Sequence, residues 1–223
     1  MQAAQIIAFK DLLRARFPQA HSVKLAAPVL STGLACLDAA GMMTGSICEI
    51  VSAHVSSGAG LLRVALISGE KECTRQPAAL VDGADAFDPA SVPKEALEQL
   101  LWVRCHDVER AMQAADLLLR DGNIPRVLLD LQWCAAREVR QVPAPVWHRL
   151  RMLAEKSGAA LCAFTPFQTV PCAKSRLVLE EPQMLEAMDT SREVLLASLK
   201  GRVVRSSSNT RLTPMVTTLA ATG

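Results

Sequence analysis

The chain has 223 residues, of which 50% are hydrophobic and 21% are charged, and its formal net charge is +2. A hydrophobic fraction this high excludes an intrinsically disordered chain. A net charge this small gives by itself no electrostatic argument for nucleic-acid binding. Only 4% of the residues are aromatic and none is Tyr, so we expect one large globular domain with an aliphatic core.

An amphipathic helix is predicted at the start of the chain, over residues 3–17, and Pro18 ends it. The basic residues of this segment lie mostly off its apolar face. A linker follows, and the chain then divides into three regions: the helix and linker at 1–28, a core domain at 29–217 and a tail at 218–223. The apolar stripe consists of Ile6, Phe9, Leu13 and Phe17.

Short apolar strands alternate with helices through the middle of the chain, which predicts an α/β domain with a largely parallel sheet covered on both faces. The last segments read as strands without intervening helices and predict antiparallel pairing towards the C-terminus. Buried strands are predicted at 47–51, 78–82, 100–103, 126–130 and 159–164, and helices at 32–41, 59–67, 93–99, 108–120 and 146–157. The late strands are predicted at 176–180, 193–199 and 210–217.

The segment after the first of these strands has the context of a phosphate-binding loop, G-x-x-x-x-G-K-[ST]. In such a loop, backbone N–H groups at a helix N-terminus cradle the phosphates. The Lys neutralises their charge, and the Ser/Thr hydroxyl holds Mg²⁺. Here Ser52 replaces the leading Gly, and no Lys occurs between Lys24 and Lys71. Gly58 or Ala59 falls at the Lys position, and Ala59 or Gly60 at the Ser/Thr position.

We therefore expect a degenerate loop that holds at most a weak phosphate on its backbone and does not hydrolyse ATP efficiently. His54 is its one polar side chain able to approach an anion, although a loop His is more often simply exposed. An ATP-binding enzyme would need a substitute cation, such as Arg63 or Lys71. The candidate loop residues are Ser52, His54, Ser56, Ser57, Gly58, Ala59 and Gly60.

Asp130 ends an apolar strand and has the form of a Walker B carboxylate. The alternative is a strand-end Asp that caps the following turn. Because the Mg²⁺-binding hydroxyl is missing, we interpret Asp130 as a relic of the fold. We expect no catalytic residue, no metal site and no cofactor.

The C-terminal part of the chain is basic and is the candidate contact surface for a partner or for DNA. An edge hairpin whose charges protect it from aggregation explains the pattern equally well. The candidate contact residues are Lys200, Arg202, Arg205 and Arg211.

The seven cysteines form no Cys-x-x-Cys pair and lie largely in apolar surroundings. They are typical of small buried hydrophobes in a reducing compartment. Lys10 and Asp11 interrupt the apolar residues at the N-terminus, and no apolar run approaches the roughly 20 residues of a membrane span. We expect a cytoplasmic protein without a membrane segment.

The order of motifs resembles the RecA core. Residues 30–41 (LSTGLACLDAAG) and 45–50 (GSICEI), followed by the loop, resemble its start, and residues 80–89 (LVDGADAFDP) are similar to its I-D-A-E-x-A-L-D-P segment. The segments LLWVR at 100–104 and VLLDL at 127–131 most resemble the ImuA family, RecA/SulA-like proteins of bacterial mutagenic translesion-synthesis cassettes. The resemblance covers roughly residues 29–200.

This resemblance implies a RecA-like P-loop fold, but the catalytic Glu of the RecA segment falls on Ala84. It then implies a non-catalytic accessory protein of SOS-induced, error-prone translesion DNA synthesis after DNA damage. The implied partners are RecA, a Y-family-like polymerase homologue and an error-prone replicative-type polymerase, with self-association open and DNA contact mostly indirect. The alternatives are a SulA-like inhibitor of cell division and a weak ATP-binding protein.

Overall fold

The computed structural model describes Thr32 and residues 35–54, 56–69 and 76–205. The predicted helix at 3–17, its linker, the predicted strand at 210–217 and the tail lie outside these residues. Within the described part, no helix is long and apolar enough to cross a membrane.

One seven-stranded sheet organises the domain. Its strands are β1 Ile47–Ser52, β2 Ala78–Asp82, β3 Leu100–Arg104, β4 Arg126–Asp130, β5 Ala160–Thr165, β6 Ser175–Leu179 and β7 Gly201–Arg205. They lie in the order β3-β2-β4-β5-β1-β6-β7. The first six strands are parallel, and β7 pairs antiparallel with β6. The α/β class, the mostly parallel sheet and the antiparallel C-terminal strand are confirmed.

Helices cover the sheet and bury an apolar core on each face. They are α1 Ala35–Ala40, α2 Ala59–Ser68, α3 Lys94–Leu97, α4 Val108–Asp121, α5 Ala136–Gln141, α6 Ala144–Ser157 and α7 Arg192–Ser198, with 3-10 turns at Pro89–Ser91 and Leu185–Asp189. Along β4, Val127 and Leu129 belong to the core beneath α4 and α6, whereas Leu128 belongs to the core beneath α2. Successive side chains thus point to opposite faces of the sheet, as expected for a strand that is buried on both faces.

Capping residues set the ends of the long helices. Asp107 accepts a hydrogen bond from the backbone N–H of Arg110 at the start of α4. Gly122 and Gly158 end α4 and α6 in the left-handed conformation, with φ of 73° and 78°. Such φ values favour Gly, which has no Cβ to clash.

Residues 193–199 were expected to form a strand, and this prediction is wrong, because the segment forms α7. The side chain of Ser191 caps the helix by accepting from the backbone N–H of Val194. Leu196 and Leu199, three residues apart, both contact the core beneath α2.

The prediction that strand 100–103 is buried is also wrong. The strand forms as β3, but it lies at one edge of the described sheet and pairs only with β2. Leu101 is consequently 45% exposed. The short helix α5 and the strand β7 were not predicted.

Candidate functional site

Polar side chains meet where the parallel strands end. Asp82 at the end of β2 is in register with Asp130 at the end of β4. Ser52 ends β1 and Thr165 ends β5, and both strands belong to the same parallel set. In an open α/β sheet, this carboxyl edge is where ligands bind. The degenerate loop and the Walker B-like Asp130 thus lie at the edge where a site would be expected.

The loop after β1 satisfies its polar groups internally. The carbonyl of His54 accepts from the backbone N–H of Ser57 at 3.3 Å and from the Ser57 hydroxyl at 2.8 Å. The Ser52 Oγ lies 2.5 Å from the Ser57 Oγ and accepts from the side-chain amide of Gln132 at 3.1 Å. Both hydroxyls are therefore committed to protein partners, whereas the side chains of His54 and Ser56 are exposed.

A later part of the chain covers the inner half of this loop. The backbone N–H of Gln183 donates to the carbonyl of Ser56 at 2.8 Å. The side chain of Leu199 lies against Gly58, whose φ of 92° is the left-handed conformation. Ser57, Gly58 and Ala59 are buried, and Gly60 is partly buried. The inner half of the loop is thus packed against an apolar side chain of the protein itself.

Asp130 forms a buried ion pair with Arg63 of α2. Arg63 Nη1 donates to Asp130 Oδ2, and the backbone N–H of Gln132 donates to Asp130 Oδ1 at 3.0 Å. Both carboxylate oxygens are therefore occupied. Burial lowers the pKa of Arg63, while the charge of Asp82 acts to raise it.

From the sequence, Arg63 is a candidate substitute for the missing Lys as the cation that binds phosphate. The structure directs its guanidinium to Asp130, and its Cζ lies 5.7 Å from the ring centre of Phe87. Its Nε is buried and has no hydrogen-bond partner. Lys71 lies outside the described residues. Within the described part of the chain, the guanidinium of Arg63 therefore neutralises the carboxylate of Asp130 and does not serve as a cation for the loop.

The carboxylate of Asp82 holds the turn after β2. It accepts from the backbone N–H groups of Ala86 at 3.1 Å and Phe87 at 2.9 Å, and from Trp102 Nε1 at 3.3 Å. Ala84, where the resemblance places a catalytic Glu, lies in this turn. The carboxylate of Asp82 therefore has a structural role in this turn.

The basic C-terminal residues are paired where the structure describes their side chains. Lys200 Nζ lies 3.0 Å from Glu181 Oε2, and Arg202 Nε donates to Glu180 Oε1 at 2.8 Å. Arg205 belongs to β7, and Arg211 lies outside the described residues. This segment is a charge-paired edge strand at the end of the described sheet.

No cluster of three or more His, Cys, Asp or Glu side chains suited to a metal ion occurs in the described part of the chain. Of its cysteines, Cys48, Cys105 and Cys162 are buried, and Cys36, Cys134 and Cys172 are partly buried. Burial raises the pKa of Cys48 to about 11.

Three residues that complete the site were not predicted from the sequence: Leu199, Gln183 and Gln132. Leu199 and Gln183 are more than 120 residues from the loop they cover, and no local pattern indicates such a contact. Arg63 did carry a signal, since a single charge within the apolar helix AGLLRVALIS implies a buried partner.

No protein-family model matches the chain, and no curated protein matches it.

Proposed function

We propose that this chain is a non-catalytic, RecA-like accessory protein of SOS-induced, error-prone translesion DNA synthesis, similar to the ImuA family, and that it acts through protein–protein contacts. The observation that carries the non-catalytic part of the proposal is the packing of Leu199 against Gly58, which makes the inner half of the loop part of the protein interior. The family part is supported by the sequence motifs over residues 29–200.

Phosphoryl transfer depends almost entirely on positioning the phosphates and neutralising their charge. The loop offers no Lys and no Ser/Thr at the Mg²⁺ position, and its residues 57–59 are buried. The carboxylate that would hold Mg²⁺ through water is already paired with Arg63. Each of these features argues against ATP hydrolysis, and together they favour a protein that uses its surface.

A P-loop-type origin explains why these features occur together. The degenerate loop joins a central strand to a helix, and a carboxylate ends a strand at the same edge of the sheet. A buried Arg then supplies the positive charge that the carboxylate would otherwise receive from Mg²⁺. This arrangement supports a RecA-like core whose nucleotide site became part of the protein interior.

The resemblance proposes RecA, the Y-family-like polymerase homologue and the error-prone polymerase as partners. Direct DNA binding is the weaker alternative, because Lys200 and Arg202 are paired with Glu181 and Glu180. A weakly charged chain with paired surface cations gains little from phosphate contacts.

The test is a binding assay of the purified chain against each of the three partners, with and without ATP and Mg²⁺. We expect direct association with at least one of them, and the same affinity with and without nucleotide. The tubulin-like cell-division protein is included as a competitor, since binding to it alone would favour the SulA-like alternative. Association with none of the three partners, or association that requires ATP, would contradict the proposal.

A further inference from the structure

A groove of about 890 Å³ lies between α4 and the first half of α6, on the sheet face opposite α2. Its floor is apolar, because Val108, Met112 and Leu150 line it and are buried. Leu117 also lines it and is 65% exposed. The groove is therefore apolar surface that the described residues leave open to solvent.

The shape of the groove favours an elongated occupant. One face of α4 forms a wall, with lining residues in every turn from Val108 to Arg120, which is about 18 Å of helix. Residues of α5, the connection at 142–143 and α6 form the other wall. The volume would by itself fit a small molecule, but sites for small molecules enclose most of the ligand. Because Leu117 is exposed, the groove is better suited to the apolar face of a helix of about three turns.

Ion pairs hold the two walls of the groove in place. Arg149 of α6 donates to Asp116 of α4 at 2.6 Å, and Arg120 pairs with the same carboxylate at 2.8 Å. Asp107 accepts from the backbone N–H of Arg110 and caps α4. These charged groups are committed to partners within the protein. The groove is thus preformed, which lowers the cost of binding an occupant.

Two carboxylates that line the groove have no cation beside them. Glu109 of α4 accepts from the side-chain amide of Gln113 at 3.3 Å, and neither Glu109 nor Glu138 of α5 forms an ion pair within the described residues. Both carboxylates are exposed. The lining as a whole has four carboxylates and two Arg side chains, a net charge of −2 (2 − 4). The uncompensated charge of the groove is therefore negative.

This negative charge lies at one end of the groove. The helix α4 follows β3, and α5 and α6 follow β4, so all three begin at the carboxyl edge of the parallel sheet. Glu109 is in the first turn of α4, and Glu138 is in the first turn of α5. An occupant that complements the groove is therefore apolar along one face and basic towards the end that meets this edge.

We propose that the groove between α4 and α6 binds an amphipathic helix of a partner protein, whose apolar face covers Leu117 and Met112 and whose Lys or Arg side chains pair with Glu109 and Glu138. The apolar floor supplies affinity, and the charge complementarity selects a basic helix over an acidic one. This inference rests on the proposed function, which acts through protein–protein contacts, and it names a surface and the chemistry of the partner.

Fluorescence anisotropy of the full chain with a synthetic peptide of about 15 residues, or ~22 Å as a helix, tests the proposal. The peptide has Leu at helical spacing on one face and Lys beside it, and a second peptide has Glu in place of every Lys. At about 0.15 M salt, which screens long-range attraction, the Lys peptide should bind in the micromolar range and the Glu peptide at least tenfold more weakly.

Two pairs of variants locate the binding. Leu117→Lys should weaken binding of the Lys peptide at least tenfold, and Met152→Lys should leave it unchanged, because Met152 is 62% exposed on α6 but does not line the groove. Changing Glu109 and Glu138 together to Lys should make the Glu peptide the tighter ligand. The same changes at the exposed Glu95 and Glu98, outside the groove, alter the net charge equally and should not reverse the preference. Thermal unfolding reports whether each variant is folded.

The proposal is overturned if the Lys peptide does not bind the unmodified chain, or if Leu117→Lys and Met152→Lys act alike. It is also overturned if sedimentation shows a dimer that Leu117→Lys dissociates, since a second copy would then cover the groove. The partner assay of the proposed function is run with the same variants. Partners that bind the Leu117→Lys variant as tightly as the unmodified chain would overturn the groove proposal alone. Binding of the Lys peptide in the groove without binding of any partner would overturn the proposed function alone.

Discussion

The side chain of Leu199 lies against the Cα of Gly58, so that a Cβ on Gly58 would collide with the Cδ2 of Leu199. This contact joins the loop after β1 to the residue that follows α7. Leu199 and Ala59 belong to the same hydrophobic core, so the contact makes the inner end of the loop part of that core.

The first prediction concerns this contact. Gly58→Ala should lower the free energy of unfolding by about 2–4 kcal/mol, since it combines a left-handed backbone conformation with overpacking. Gly158→Ala is the control, because Gly158 has a similar φ but no atom within 4 Å of an added Cβ. It should cost about 1–2 kcal/mol. Denaturant unfolding measures both variants.

The same experiment in a Leu199→Ala background isolates the collision. There the cost of Gly58→Ala should fall to that of the Gly158→Ala control. An unchanged cost in this background would show that Leu199 does not press on the loop.

The second prediction concerns the ion pair of Arg63 and Asp130. Removing one partner leaves a buried charge unpaired, so Arg63→Met or Asp130→Asn should each cost about 3–5 kcal/mol. The double variant should cost clearly less than the sum of the two. The exposed pair Arg151–Glu155 is the control, with an expected coupling of about 0.3–0.5 kcal/mol. Additive costs at Arg63 and Asp130 would contradict a buried, coupled pair.

The third prediction concerns pH. Hydrogen bonds from Arg104, at 2.6 and 2.7 Å, lower the pKa of Asp85 from its ordinary value of 3.8. A lowered carboxyl pKa in the folded state stabilises the protein above the unfolded pKa, and this stability is lost as the pH falls through the folded pKa. Arg104→Gln should therefore lower the thermal unfolding midpoint at pH 7 but have little effect near pH 2. An equal shift at both pH values would show that the loss is not electrostatic.

The fourth prediction concerns the basic C-terminal strand. Arg202→Glu should weaken partner association without unfolding the protein, and Glu180→Gln, which releases Arg202 from its ion pair, should strengthen it. Arg110→Glu is the control, because Arg110 is also exposed and has an acidic neighbour in Asp107. If Arg202→Glu and Arg110→Glu have the same effect on binding, the strand is only a solvated edge.

Much of the fold could be predicted because its signals are local. The limits of β2 and β4 agree with their apolar runs, and Asp107, Gly122 and Gly158 mark helix ends by their own chemistry. The strand predicted at 193–199 failed because its short apolar run carries little periodicity, and its contacts with the core beneath α2 select the helix. The position of β3 at an edge is a property of strand order, which no single segment encodes.

Only part of the candidate site could be predicted from the sequence. The missing Lys and Ser/Thr are visible in the sequence, and Asp130 follows from the end of an apolar strand. That Leu199 fills the loop and that Arg63 neutralises Asp130 depends on contacts between residues 141 and 67 positions apart. Such contacts arise from the topology of the sheet, and no local sequence motif encodes them.

The most direct test of the account is equilibrium binding of ATP with Mg²⁺ to the purified full-length chain, measured by titration calorimetry alongside a hydrolysis assay. The account predicts no binding up to millimolar nucleotide and no turnover, because the loop has no Lys, Leu199 packs against Gly58 and Arg63 is paired with Asp130. Micromolar binding or measurable turnover would contradict it and would restore an ATP-dependent function.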